Sequence, residues 1–394
     1  MSDRPKSRRR SSGRNAGQSA SRLVERPPLV VCPHCDMSVP AGEFCGHCGA
    51  HLSSASVTRR HAFAAVPSES VAHLSIISTL FPHLPHRQGG AFKWALIAGI
   101  AAVVLLAALQ LFAPATAAAT FLLPALYLLY LYEVEVYESE PWLLVGATML
   151  AGAVLGYALT AFAGGIESRL DLTGDHTASF LLAGVVIPIV AQALMVAGPM
   201  FLFLFRDRFR EPLDGLTFGA ASALGFTLAS NLTMFWSLIA GPLVATGDPL
   251  DWALRLLRAG ILVALVNAST TGLVTAAVWL HRYDVRRRAW QAGLPAALVV
   301  AVGSQVVLGM LGFVVTNLVA EVLLRSLATI ALLLYTRLVI HQALLAEGSV
   351  QEIGPDAPCR ECHRVVPTMR FCPACGVARA ATTKQGRTPA EGRA

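Results

Sequence analysis

The sequence predicts an all-α polytopic membrane bundle of about eight transmembrane helices, with a small four-cysteine module at each end. Three observations predict it. The chain has 394 residues, of which 55% are hydrophobic and only 14% charged. The charges gather at the two ends and in a few short clusters, leaving long apolar stretches between them. That distribution fits a multi-pass membrane protein and not a globular core. Finally, eight cysteines fall into two groups, both outside the apolar middle.

Apolar runs of the length a bilayer demands, about 20 residues or more, fall at approximately 94–113, 115–132, 142–163, 178–204, 215–241, 253–280, 292–316 and 320–343. The first two are divided at Ala113-Pro114. Charge sets the orientation. The loop from Arg206 to Asp214 holds three Arg and that from His281 to Arg288 holds four. The stretch "GGIESRLDLTGDHT" holds one, and "GPLVATGDP" none. The positive-inside rule therefore puts the Arg-rich loops in the cytoplasm. Eight spans then place both termini there too. High Ala, Leu, Gly and Arg with only three Lys suggests a GC-rich bacterial genome, hence a bacterial plasma membrane.

Two signals run against this orientation. The loop "EVEVYESEP" is acidic although it is placed inside, and Arg255 and Arg258 lie within the outer end of the sixth span. Acidic residues contribute little to the rule, and the two Arg are expected to snorkel to the headgroups. Glu321 and Arg325 stand at a helical spacing that favours intrahelical pairing. The net charge of +7 would suggest nucleic acid in a soluble protein. Here the basic residues flank membrane segments, and topology explains them better.

The Ser- and Arg-rich start has no apolar h-region, so no cleavable signal peptide is expected. Its simplest reading is a solvated arm, its alternative a patch touching anionic headgroups. The expected organisation is a disordered basic tail over 1–29, a first cysteine module over 30–54 and a linker over 55–92. A transmembrane domain over 93–346, a second cysteine module over 356–380 and a tail over 381–394 follow.

The cysteine modules are an internal repeat. Cys32, Cys35, Cys45 and Cys48, and Cys359, Cys362, Cys372 and Cys375, both read C-x2-C-x9-C-x2-C. Both carry Pro five residues after the second Cys (Pro40, Pro367), Phe before the third (Phe44, Phe371) and Gly after the fourth (Gly49, Gly376). Two C-x2-C turns facing each other suit a tetrahedral Zn2+ held by four thiolates, a closed site that is structural. Segments this short fold only with their metal. Disulfides are the competing reading, and the cytoplasmic placement argues against them. Two zinc ions per chain are expected. His34, His47, His51 and His363 are spare candidates, taken as surface residues because four cysteines complete the tetrahedron. The motif resembles the zinc-ribbon family over these short segments alone. Without a dense basic stripe bearing aromatics, nucleic acid is not the expected partner. A cytoplasmic or membrane protein docking on the ribbons is.

Two elements of the membrane region carry a further resemblance. "EVEVYESEP" offers Glu135, Tyr137, Glu138, Glu140 and Pro141. "DGLTFGAASALGFTLASN" offers Asp214, Gly215, Gly219, Gly225, Phe226 and Asn231. They resemble the D-x-Y-E-x-E-P and D-G-x-x-x-G-x-x-x-x-x-G-F-x-x-x-E-N elements of the PrsW family of intramembrane metalloproteases, with Glu for Asp at the first position. The resemblance covers roughly residues 120 to 320. It implies a helical bundle whose metal is held by Glu-Glu-x-x-Lys, Phe-x-x-x-Glu and His positions on later helices.

This chain departs from that set. Ala191, Gln192 and Met195 stand where Glu, Glu and Lys would, Ser230 replaces the Glu after Phe226, and Asn267 and Gln305 fall where the two His would. Amides and hydroxyls cannot serve as a base at neutral pH and are poor ligands for a hydrolytic metal. The sequence therefore predicts a metal-free polar cluster of Gln192, Ser230, Asn231, Asn267 and Gln305. Helix–helix hydrogen bonding is its simplest role. A pocket gripping a lipid or transmembrane peptide is the alternative, and catalysis through Ser230 lacks a general base.

The expected function is a pseudoprotease that binds or scaffolds at the membrane. The competing reading is an active intramembrane metalloprotease with other ligands, for which Glu167, Asp175 and His176 are the nearest acid and imidazole groups. A transporter or channel would need broken helices at the midplane, for which Pro124, Pro188 and Pro199 are the only hints.

Overall fold

The structure, a computed structural model, describes residues 27–33, 35–52, 90–133, 142–173, 176–205, 212–241, 248–283, 293–347 and 353–379. The acidic loop with Glu135, Tyr137, Glu138, Glu140 and Pro141, together with His34, Asp175 and both tails, lies outside these residues.

Eight long helices correspond to the eight expected spans. α1 is Gly90–Ala108, α2 Phe112–Glu133 and α3 Trp142–Thr173. α4 runs through His176–Leu181, a π-helical turn Leu182–Val186, and Ile187–Phe205. α5 is Pro212–Met234. α6 runs through Pro249–Leu256, a second π-helical turn Leu257–Leu262, and Val263–Tyr283. α7 is Leu294–Val314 and α8 Leu318–Glu347. Six of them are long and apolar enough to cross a membrane by length and composition. The apolar stretch of α1, Phe92–Ala108, is shorter, and α5 is more polar, with Thr217, Ser222, Thr227, Ser230, Asn231 and Thr233.

Two boundaries differ from expectation. The break between the first two helices falls at Leu109–Leu111, not at Ala113-Pro114. Gln110 adopts φ 60, Leu111 N–H donates to Leu106 O and Gln110 N–H to Ala107 O, which is a Schellman stop. Pro114 falls in the first turn of α2, where its missing N–H removes no helical bond. α3 also extends well past residue 163. The stretch from Gly164, read as loop, stays helical to Thr173.

Large apolar side chains cover the outside of α3, α4 and α7, among them Leu143, Val154, Phe162, Phe201, Val299 and Val307. This is the surface a bilayer requires. The centre belongs to α5 and α6. Every residue of α6 from Ala264 to Leu280 is buried. Close approach is made possible by small residues, as membrane interfaces favour. A side chain at Gly152 or Gly156 of α3 would overlap the carbonyls of Ser222 or Phe226 on α5, and one at Gly225 would overlap that of Met149. Across α5 and α6, Thr275 Oγ1 donates to Gly215 O at 2.7 Å.

The cysteine modules sit at one end of the bundle. β1 (Leu29–Val31) pairs antiparallel with β2 (Ser38–Pro40), and β3 (Asp356–Pro358) with β4 (Val365–Pro367). The modules join each other directly. Pro373 O accepts from the N–H groups of Glu43 (2.9 Å) and Phe44 (3.0 Å), and Gly46 O accepts from Phe371 N–H (2.9 Å). Phe371 and Ala378 pack with Leu213 and Leu216 of α5, Ala276 of α6 and Ile340 of α8. The cysteine modules thus share an end with the sequence neighbours of both Arg-rich loops.

Candidate metal centres and the polar core of the bundle

Each cysteine module is built from two backbone knuckles. The N–H of the residue after the second or fourth cysteine closes back on the carbonyl of the preceding one. Asp36 donates to Cys32 O, Gly49 to Cys45 O, His363 to Cys359 O and Gly376 to Cys372 O, at 2.7–2.9 Å. All four donors have positive φ: Asp36 57, Gly49 79, His363 56 and Gly376 73. The sequence repeat is thus a conformational repeat, and glycine at two of these positions relieves the left-handed strain.

The knuckles bring the sulfurs of each group within 4.8 Å of one another. Cys32 and Cys48 stand 3.8 Å apart, Cys35 and Cys45 3.8 Å, Cys359 and Cys375 3.8 Å, and Cys362 and Cys372 3.9 Å. A disulfide needs about 2.05 Å. A tetrahedron with Zn–S bonds of about 2.3 Å has edges near 3.8 Å, so the donor set and its spacing fit zinc. Proton sharing with Cys35 pushes the Cys45 thiol up to about 12. The bond to Cys359 pushes Cys372 up to about 11. Cys35, bonded to Cys45 and Cys48, is held far below the usual thiol range. Four thiolates this close require a cation. The N–H groups of His47 and Cys48 point at Cys45 Sγ, at 3.4 and 3.5 Å, supporting a ligand sulfur.

Of the spare histidines, His363 is exposed, His51 lies tilted against Phe44 with ring centroids 4.2 Å apart and sits 3.8 Å from Glu43, and His47 is half-buried. All three lie in the described residues, and none belongs to a four-cysteine group.

In the bundle, three of the five expected polar residues meet. Gln305 Nε2 of α7 donates to Asn267 Oδ1 (2.8 Å) and Thr270 Oγ1 (3.2 Å) of α6, and to Gln192 Oε1 of α4 (3.2 Å). Asn267 Nδ2 donates to Thr227 Oγ1 of α5 at 2.8 Å, and Gln192 Nε2 to Thr271 Oγ1 at 3.4 Å. Four helices are thereby tied by hydrogen bonds among three amides and three threonine hydroxyls. Met195 is fully buried beside Ala223 and Phe226, with Ala191 packed against them.

Ser230 and Asn231 do something else. Ser230 Oγ donates to Gly156 O of α3 at 3.3 Å. Asn231 Nδ2 donates to Ala259 O at 3.0 Å, inside the π-helical turn of α6. A π-turn shifts the ladder from i→i−4 to i→i−5, and Val263 N–H reaches Arg258 O. Asn231 binds a carbonyl in the turn where that ladder slips.

The threonines of the network carried a sequence signal. Asn267, Thr270 and Thr271 stand at i, i+3 and i+4 and so share one helix face. Substituting Gln305 by Leu removes three acceptors' donor at once. Stability should fall by about 1–2 kcal/mol, since such bonds average about 0.6 and reach about 1.7 kcal/mol. The midpoint of thermal unfolding in detergent measures this.

Arg258 departs from expectation. It does not simply reach for headgroups. Its Nη1 donates to Glu321 Oε1 (3.2 Å) and Oε2 (3.0 Å) on α8. Arg325 Nε binds the same carboxylate at 3.1 Å in the i,i+4 pair anticipated from spacing, and its Nη2 donates to Leu308 O of α7 at 2.7 Å. The tertiary partner won because Glu321 is only 4% exposed, and a buried carboxylate is costly without countercharge.

Among the described residues, the two four-cysteine groups are the groups of three or more His, Cys, Asp or Glu able to hold a metal. A hydrolytic metal does not fit the donors that meet inside the bundle, which are neutral amides and hydroxyls. Glu167 belongs to the far end of α3, well away from them in the chain.

A family profile described as PrsW family intramembrane metalloprotease matches residues 140–340 of the chain. No curated protein and no solved structure matches it. The matched span runs from the start of α3 into α8 and contains the whole amide network.

Proposed function

Because the chain belongs to the PrsW family of intramembrane metalloproteases, we propose that it is a family member that has exchanged hydrolysis for binding. The observation that carries this reading is the network of Gln192, Asn267 and Gln305. Each occupies a position where the family resemblance calls for a carboxylate or imidazole, and each is hydrogen-bonded to a neighbouring helix. Their hydrogen bonds hold the bundle together and supply no base to activate water.

In this reading the cysteine modules are zinc ribbons, each holding one structural Zn2+. They act as a docking module for a cytoplasmic or membrane protein partner, and the lipid bilayer surrounds the rest. The chain sits in a bacterial plasma membrane with both termini cytoplasmic, as the Arg-rich loops argue. Gln192, Asn267 and Gln305 line no hydrolytic centre, Ala191 and Met195 serve packing, and Ser230 ties α5 to α3.

The competing reading is an active intramembrane metalloprotease. Family membership itself favours it, with ligands drawn from residues other than those in the network. Purified chain reconstituted with a model single-span substrate separates the two. We expect no cleavage with or without a chelator, and zinc content accounted for by the cysteine groups alone. Cleavage that a chelator abolishes, together with a further metal ion surviving Cys-to-Ser changes in both ribbons, would establish the protease instead.

A further inference from the structure

The depth of the Arg258–Glu321–Arg325 cluster can be read from the helices that carry it. Ala276 and Ile340 mark the end of the bundle on which Phe371 rests. From Ala276 back to Arg258, and from Ile340 back to Glu321, the rise along α6 and α8 is about 27–29 Å at 1.5 Å per residue. A hydrocarbon core is about 30 Å thick. The cluster therefore lies at the headgroup boundary of the leaflet opposite the ribbons.

Its charge is unbalanced. Arg255, one turn before Arg258 on α6, adds a third guanidinium against a single carboxylate. Arg258 spends only Nη1 on Glu321. Among the described residues, its Nε and Nη2 have no protein partner, and Arg255 has none at all. Asp251, four residues before Arg255, makes no ion pair with it. Arg255 is exposed, and the Arg258 side chain is 29% exposed. Guanidiniums left with free donors at a headgroup boundary call for an anion that accepts more than one hydrogen bond, and phosphate geometry matches them. They also stand at the end of the bundle away from the Arg-rich loops, where topology gives cations no reason to be.

We propose that Arg255 and Arg258, with Arg325 behind them, bind the phosphodiester of an anionic phospholipid in that leaflet. Glu321 holds Arg258 and Arg325 in place, and the surplus positive charge selects lipids without a compensating ammonium. Asn231 contributes as a positioning residue, through its bond to Ala259 O beside Arg258. The proposal stands whether or not the bundle cleaves substrates.

The test uses the full-length chain in an uncharged detergent. Its thermal midpoint is followed while short-chain phosphatidylglycerol, short-chain phosphatidylcholine or inorganic phosphate is added. Phosphatidylglycerol should raise the midpoint, and the other two should not. R255Q and R258Q should each raise the half-saturating phosphatidylglycerol concentration about tenfold, as loss of a charge-assisted bond of about 1.5 kcal/mol requires. Arg255 makes no hydrogen bond or ion pair with a described residue, so R255Q should fold like the parent and decides the matter if R258Q does not. An unchanged lipid response in R255Q would overturn the proposal. So would equal stabilisation by phosphatidylcholine or by inorganic phosphate.

Discussion

Replacing Cys372 by Ser is expected to remove one metal ion per chain and to loosen both ribbons, not only its own. Cys372 belongs to the second four-cysteine group, and a ribbon of this size has no core able to fold without metal. Binding of a structural zinc is worth roughly 10–16 kcal/mol in zinc-finger peptides, far more than any other single contact in these segments. The same ribbon carries Phe371 and Pro373, which make the backbone bonds to Gly46, Glu43 and Phe44. When it unfolds, the first ribbon loses that support, although its own cysteines remain. Zinc content should fall from two ions to one. Limited proteolysis should then cut near both ends of the chain. A cut confined to the C-terminal ribbon would show that the first ribbon stands alone. Cys45→Ser, in the first group, should give the mirror result.

Glu321→Ala should be the most damaging single change within the bundle, at about 3–5 kcal/mol, the usual cost of stripping the partner from a buried ion pair. The loss leaves Arg258 and Arg325 facing each other with no carboxylate between them. Glu321→Gln keeps the shape and some hydrogen bonding and should fall between parent and Ala. Thermal unfolding in detergent, compared across the three chains, gives the order. A Glu321→Ala midpoint equal to the parent's would mean that the cluster contributes nothing to stability. By contrast, Arg255→Gln should leave the midpoint without lipid unchanged.

Much of this architecture was legible in the sequence because it follows from local rules. Apolar run length located the eight helices, and the C-x2-C-x9-C-x2-C repeat located both four-cysteine groups. The i,i+4 spacing of Glu321 and Arg325 anticipated their bond. What was not legible is tertiary. Arg258 and Glu321 are 63 residues apart, and nothing in either helix announces the other. Interfacial Arg normally snorkels, so the local rule pointed elsewhere. The helix boundary at Gln110 was missed because a Schellman stop was built on Gln, while Pro114 four residues later was the more visible signal. In the candidate site, amides at Gln192, Asn267 and Gln305 were identified singly. That they bond to one another, while Ser230 and Asn231 bind the backbones of Gly156 and Ala259, depends on helix rotation, which composition does not encode.

The bonds between the ribbons also impose an order on synthesis. They join Glu43, Phe44 and Gly46 to Phe371 and Pro373, more than three hundred residues later in the chain. The first ribbon leaves the ribosome before the eight described helices, and its partner is made after them. Contacts of such sequence separation form late, and domains emerging first fold first. If the N-terminal ribbon holds a metal, it would therefore load it alone and wait through insertion of the described helices. Pairing of the ribbons then follows insertion of the described helices. A chain stalled or truncated anywhere before Phe371 would carry a loaded first ribbon with its docking edge still open.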